Sequence, residues 1–184
     1  MTLFSYLLIV SCLLILFFMY MWSTYNSFIR QVNRVKNEYS NIDIQIKRRS
    51  SLLQNLADMV KAYAKHEQTT FEEVAKARSA VEESSNAQDY ARAQTLIDQT
   101  VRSLYVVVEN YPELKAKENF QDLHKELTKT EDIVAIYREE YNKAVLQYNT
   151  LIQVFPNVII ATLFNFKSIE YFEASKVQDN KITI

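Results

Sequence analysis

YNSFIRQVNRVKNEYSNIDIQIKRRSSLLQNLADMV, residues 25–60, is the stretch that decides the fold. Its apolar residues recur at alternating spacings of three and four: Tyr25, Phe28, Val32, Val35, Tyr39, Ile42 and Ile46, then Arg49 as an interruption, then Leu53, Leu56, Val60 and finally Tyr63. A seam sustained this long predicts a helix that packs lengthwise against partners at small crossing angles. Neither Pro nor Gly falls between Leu3 and Ala80, so the helix is expected to run unbroken into the segment before it. The pattern weakens after Glu67, and EESSNAQ, residues 82–88, reads as a polar turn.

Upstream lies Leu3 to Trp22, a run without a charged residue. At 1.5 Å rise per residue, about 20 residues span a hydrocarbon core of about 30 Å, which the short apolar core of a signal peptide does not. Tyr20, Trp22 and Tyr25 fall where such a helix leaves the bilayer, the position amphipathic rings favour. No Lys or Arg precedes the run, whereas Arg30, Arg34 and Lys36 follow closely. Positive charge retains its own side in the cytoplasm, so the N-terminus is expected outside and the remainder inside. A cleaved signal would need a basic start and a small-residue cleavage site. Ile9-Val10-Ser11-Cys12 has the form that lipid attachment requires, but apolar residues continue well past Cys12. Cys12 therefore reads as a small hydrophobe within a membrane helix.

Composition narrows the rest. The 184 residues include no glycine and two prolines, so turns needing positive φ are scarce and hairpin-rich β architecture is disfavoured. A formal net charge of −1 gives no drive toward nucleic acid. One cysteine leaves no intrachain disulfide and no thiolate zinc site.

Further along, Ile97, Val101, Leu104, Val108 and Tyr111 form a second stripe that ends at Pro112, where a turn or kink and a restart near Ala116 are expected. The heptad returns as Phe120, Leu123, Leu127, Thr130, Val134, Tyr137, Tyr141, Ala144, Tyr148, Leu151 and Phe155, stopped by Pro156. Beyond it, VIIATLFNF and IEYF gather large apolar groups with almost no charge. This segment either closes the core as a short fourth helix or meets a bilayer or a partner. The fold expected is all-α: an N-terminal transmembrane helix continuing into an antiparallel up-and-down bundle of long helices. The expected divisions are an anchor over 1–23, a bundle domain over 24–174 and a flexible tail over 175–184.

The sequence carries few marks of chemistry. Neither His66 nor His124 has a metal-ligand spacing, and a chain without glycine has no Gly-rich phosphate cradle. No catalytic, cofactor or metal residue is assigned. Two polar sets rise above the background. Arg49 occupies a seam position, and a buried cation needs a partner, for which Glu131 beside the later seam is the candidate; the alternative has Arg49 reaching along the bundle to solvent. Tyr141-Asn142 and Tyr148-Asn149 repeat one dipeptide a heptad apart, with Tyr25-Asn26 as a third copy. They are either core rings with wet hydroxyls or an interaction surface.

Several stretches resemble the LemA family of bacterial membrane-anchored helical proteins. They are Tyr25-Asn26, Arg34-Val35-Lys36-Asn37 with Ile42-Asp43, Lys47-Arg48-Arg49, Asn55-Leu56, Tyr63-Ala64-Lys65-His66-Glu67 and Glu109-Asn110-Tyr111-Pro112-Glu113-Leu114-Lys115. Phe120, Thr130-Glu131, Arg138, Tyr141-Asn142, Tyr148-Asn149, Phe155-Pro156 and Phe166 continue the likeness. The resemblance implies an up-and-down bundle on one membrane helix, with no established enzymatic activity. Some relatives, one associated with magnetosome membranes, imply a role in organising membranes. The family commonly has glycine near Ala62 and before Phe166, where this chain has Thr162 and Asn165; their loss favours helix there and argues against bending. The function expected is that of a non-enzymatic single-pass inner-membrane protein acting in assembly or membrane organisation. The runner-up is a regulatory adaptor for a membrane protease or kinase. Its expected partners are the lipid bilayer and either further copies or another membrane protein, with no nucleic acid and no cofactor.

Overall fold

The computed structural model describes residues 2–172, so the expected tail at 175–184 lies outside the described residues. It is all-α. Among the described residues the order is α1 Thr2–Lys61, α2 Gln68–Glu82, α3 Ala87–Glu109, α4 Pro112–Lys115, α5 Glu118–Gln153 and α6 Asn157–Leu163. These residues group into two compact units, each containing part of α1 and part of α5. One comprises the residues up to Asn37 with Asn142–Glu170; the other comprises Glu38–Tyr141 with Tyr171 and Phe172.

The larger unit is a four-helix up-and-down bundle. Tyr39 and Asp43 of α1 meet Tyr90 of α3 while Arg49 meets Asp98, so these two helices run parallel. Tyr39 meets Tyr141 and Arg49 meets Glu131, so α5 runs antiparallel to α1. Between α1 and α3 the chain returns through α2, whose buried face is Thr70, Val74, Ala77 and Val81 at helical spacing. Ile42, Ile46, Leu53, Leu56, Ile97, Leu104, Leu127 and Val134 fill the core. Burying such side chains contributes about 1.5–3 kcal/mol each. Asn86 caps α3: its side chain accepts from the Asp89 N–H at 2.9 Å and donates back to the Asp89 carboxylate at 2.7 Å. Pro112 opens the single turn α4 at its first position, where a missing N–H costs nothing.

The apolar run and the first seam form one unbroken helix, as expected; it stops at Lys61, and residues 62–67 turn the chain back into α2. Two sequence expectations change here. Tyr63, expected in the seam, lies in that turn and is exposed, while its N–H and that of Ala64 both bond the Val60 carbonyl at 2.9 Å. Ala62 and Asn165 do not straighten the chain either. Asn165 takes φ 57°, a left-handed geometry that asparagine tolerates better than other residues with a Cβ, so the bend survives without glycine.

In the smaller unit, the first part of α1 pairs antiparallel with the end of α5, marked by an Arg34–Gln147 hydrogen bond of 2.6 Å. Phe28, fully buried, packs against Phe166 with ring centroids 5.0 Å apart. Phe155, placed at the end of the α5 seam by its spacing, is instead 80% exposed because the helix ends at Gln153.

The Tyr90 hydroxyl donates to the Asp43 carboxylate, which also receives the Lys47 ammonium at 2.9 Å. Partial burial pushes the Asp43 pKa up, but these hydrogen bonds and the Lys47 charge outweigh it and hold the pKa below 3.8. A depressed carboxylate pKa stabilises the fold above the unfolded value and loses that contribution as pH falls through the folded one. Thermal unfolding across pH should therefore show wild type more stable than Asp43→Asn near neutrality. The gap should close in acid, below pH 3.8. A gap independent of pH would contradict this.

Candidate functional site

Arg49 enters the core because α1 continues as a helix through its seam, placing the side chain where Ile42 and Leu56 point one heptad away. It is 2% exposed. One guanidinium nitrogen, Nη2, donates to Glu131 Oε2 at 2.9 Å. Nη1 lies 2.5 Å from Asp98 Oδ1, an ionic contact whose direction makes no hydrogen bond. Asp98 is 29% exposed and Glu131 53%, so the cation is the buried member and the carboxylates carry the cluster toward water.

Arg138, one heptad beyond Glu131 on α5, adds a second guanidinium. Burial lowers its pKa, the nearby Asp98 charge offsets part of that, and its guanidinium stacks 4.6 Å over the Phe172 ring. Two cations and two anions thus come from α1, α3 and α5. A shift of any one helix by a turn would strand Arg49, so the cluster favours a single register. The rest of the basic run is divided: Lys47 pairs with Asp43 within α1, and Arg48 pairs with Glu126 of α5. Sequence reasoning brought Arg49 and Glu131 together but missed Asp98. Its one available signal is its place beside Ile97 on the edge of the α3 stripe.

Tyr141 and Tyr148-Asn149 of the tyrosine–asparagine repeat point inward, whereas Tyr25 of the third copy is 37% exposed. Tyr141, Tyr148 and Asn149 are 4%, 2% and 8% exposed. The Asn149 side chain forms a two-way bond with the Ile169 backbone: it donates to the carbonyl at 2.8 Å and accepts from the N–H at 2.9 Å. The Tyr148 hydroxyl donates to the Lys167 carbonyl at 2.9 Å. Together they hold the non-helical segment 166–170 against α5. In the larger unit, Tyr141 packs edge-on against Phe172 at 6.3 Å. Asn142, half-buried, makes contacts of its own. Asn149→Ala leaves both Ile169 backbone groups without their partner and is expected to cost about 1–3 kcal/mol. Hydrogen exchange should show Ile169 among the first amides to lose protection; unchanged protection would sink the clasp.

His124 lies against Tyr105 with ring centroids 4.5 Å apart, and burial pushes the Tyr105 hydroxyl up to about 12. His66 is exposed in the turn after α1. Among the described residues, no three or more His, Cys, Asp or Glu gather as metal ligands.

The LemA family model matches residues 38–184. Magnetosome protein MamQ of Magnetospirillum gryphiswaldense is 24% identical, the alignment covering 86% of this chain and 68% of the relative. MamQ 1 of Paramagnetospirillum magneticum is 25% identical with the same coverage. Protein LemA of Metamycoplasma hominis is 24% identical over 83% of this chain and 70% of its own length.

Proposed function

From the premise that the chain belongs to the LemA family, we propose that it is a single-pass membrane protein whose helical bundle assembles with further copies of itself, and through them with protein partners, at the membrane, without catalysis. The observation that carries this reading is the surface of α1. Each large apolar side chain from Phe4 to Phe18, excepting none among those described, leaves more than half its area uncovered. The helix is long and apolar enough there to cross a bilayer. Water-exposed, that surface would be an extensive apolar patch; in lipid it is satisfied. Exposed Arg30, Arg34 and Lys36 just past it support an N-terminus outside and a bundle in the cytoplasm. The relatives named as magnetosome proteins support work on a membrane-associated structure, and the register-locked bundle supplies a rigid body for it.

Reporter fusions at residue 184 test the topology. A fusion active as a cytoplasmic reporter and silent as a periplasmic one is the expected pair of results. The inverse pair would reverse the orientation, and recovery of the intact chain from the soluble fraction would remove the membrane reading itself.

A further inference from the structure

A second apolar surface lies where α5 ends. From Val154 to Phe166 there is no charged residue. In α6, Ile159 and Leu163, spaced by four, form one stripe that is 60% and 69% exposed, and Phe155, in the turn before the helix, is 80% exposed; Ile160 and Ala161 are buried. The helix is therefore apolar on its buried face and also carries large apolar side chains on its outward one.

Its position along α1 is fixed by direct contacts. The Tyr20 hydroxyl donates to Asn157 Oδ1 at 2.7 Å, and the Tyr25 ring meets Phe164 with centroids 5.0 Å apart. The helix thus lies between the levels of Tyr20 and Tyr25, about 7.5 Å apart along α1, where the apolar run gives way to polar sequence. Between α5 and α6 the chain bends by 93°. Because α5 pairs lengthwise with α1 in this unit, α6 lies across α1, along the membrane plane when α1 crosses it. Beside it is an apolar hollow of about 350 Å³ lined by Phe18, Met21, Trp22, Tyr25, Asn26 and Phe164.

Resting on the reading that α1 spans the bilayer, we propose that residues 154–164 form a second membrane contact, embedded in the interface of the leaflet from which α1 emerges, with lipid acyl chains covering Phe155, Ile159 and Leu163. An independent interfacial helix of seven residues would need a cationic face to be recruited. This one does not, because α1 already holds it at the surface, so its local concentration is set by the tether. The contact fixes the rotation of α1 and braces the smaller unit against the leaflet.

The test uses the full-length chain in phosphatidylcholine–phosphatidylglycerol vesicles. An environment-sensitive fluorophore is attached to Cys12 of the natural chain or, in a Cys12→Ser background, to Ile159→Cys, Leu163→Cys or Leu146→Cys. Leu146 is an exposed apolar control on α5, at 56%. Labels at 159 and 163 should be quenched by shallow spin-labelled lipid at least about twofold more than the label at 146, and shielded from aqueous iodide. Phe155→Cys replaces either variant whose circular dichroism departs from wild type. Iodide access at 159 and 163 equal to that at 146, with Cys12 quenched by deep lipid probes, would overturn the second contact and leave the anchor standing. Cys12 out of reach of lipid quenchers would instead overturn the anchor. Shielding from iodide without lipid quenching would mean that a second copy covers this face, and would equally overturn the proposal.

Discussion

Asp98→Leu is expected to destabilise the protein by about 3 kcal/mol, the lower end of the range for stranding a buried charge. Arg49 stays 2% exposed with only Glu131, itself 53% exposed and half in water, to balance it. Arg49→Met should cost about half as much, because the group it strands is a carboxylate with access to solvent and with Arg138 nearby. Glu131→Gln should cost under about 1 kcal/mol, as exposed partners do. Combining Arg49→Met with Asp98→Leu should recover much of the loss, the signature of a coupled pair. Urea unfolding of the full chain in detergent, followed by circular dichroism, reads all four. Equal small effects at the three positions would mean that Arg49 is solvated and that the cluster does not set register.

The second large effect is at Ile46. Ile46→Asp removes a fully buried side chain and puts an unpartnered carboxylate in its place, so a loss above about 4 kcal/mol is expected. Ile44, two residues away and 57% exposed, is the internal control. Ile44→Asp should fall within about 0.5 kcal/mol of wild type. Helical circular dichroism lost in the first variant and kept in the second is the expected contrast; comparable losses would place Ile44 against protein or lipid.

This contrast rests on a property that was legible from sequence. Phe28, Val35, Ile42, Arg49 and Leu56 are one heptad apart and all buried, as are Phe120, Leu127, Val134, Tyr141 and Tyr148 on α5. Periodicity is a local property, and burial follows it. What periodicity does not carry is the register between helices. Asp98 looks like any charge at the edge of a stripe until α3 is set beside α1 at the height that brings it to Arg49. The break at 62–67 was hidden for a related reason: Lys-Ala-Tyr-Ala-Lys favours helix, and packing of α2 onto the bundle overrides that propensity. Tyr148-Asn149 stood out as a repeat, but its target did not, because it bonds backbone groups that every residue possesses. Asn165 turns the chain by a left-handed geometry that composition alone disfavoured.

The central claim is that this bundle works by assembly at the membrane, and the mass of the detergent-solubilised chain across a concentration series tests it most directly. One uniform homo-oligomer, with a protein mass two or more times 21.6 kDa and stable to dilution, is the expected result. A monomer, alone or bound in fixed ratio to a membrane protease or kinase, would contradict it; the bound form would make the chain a regulatory adaptor.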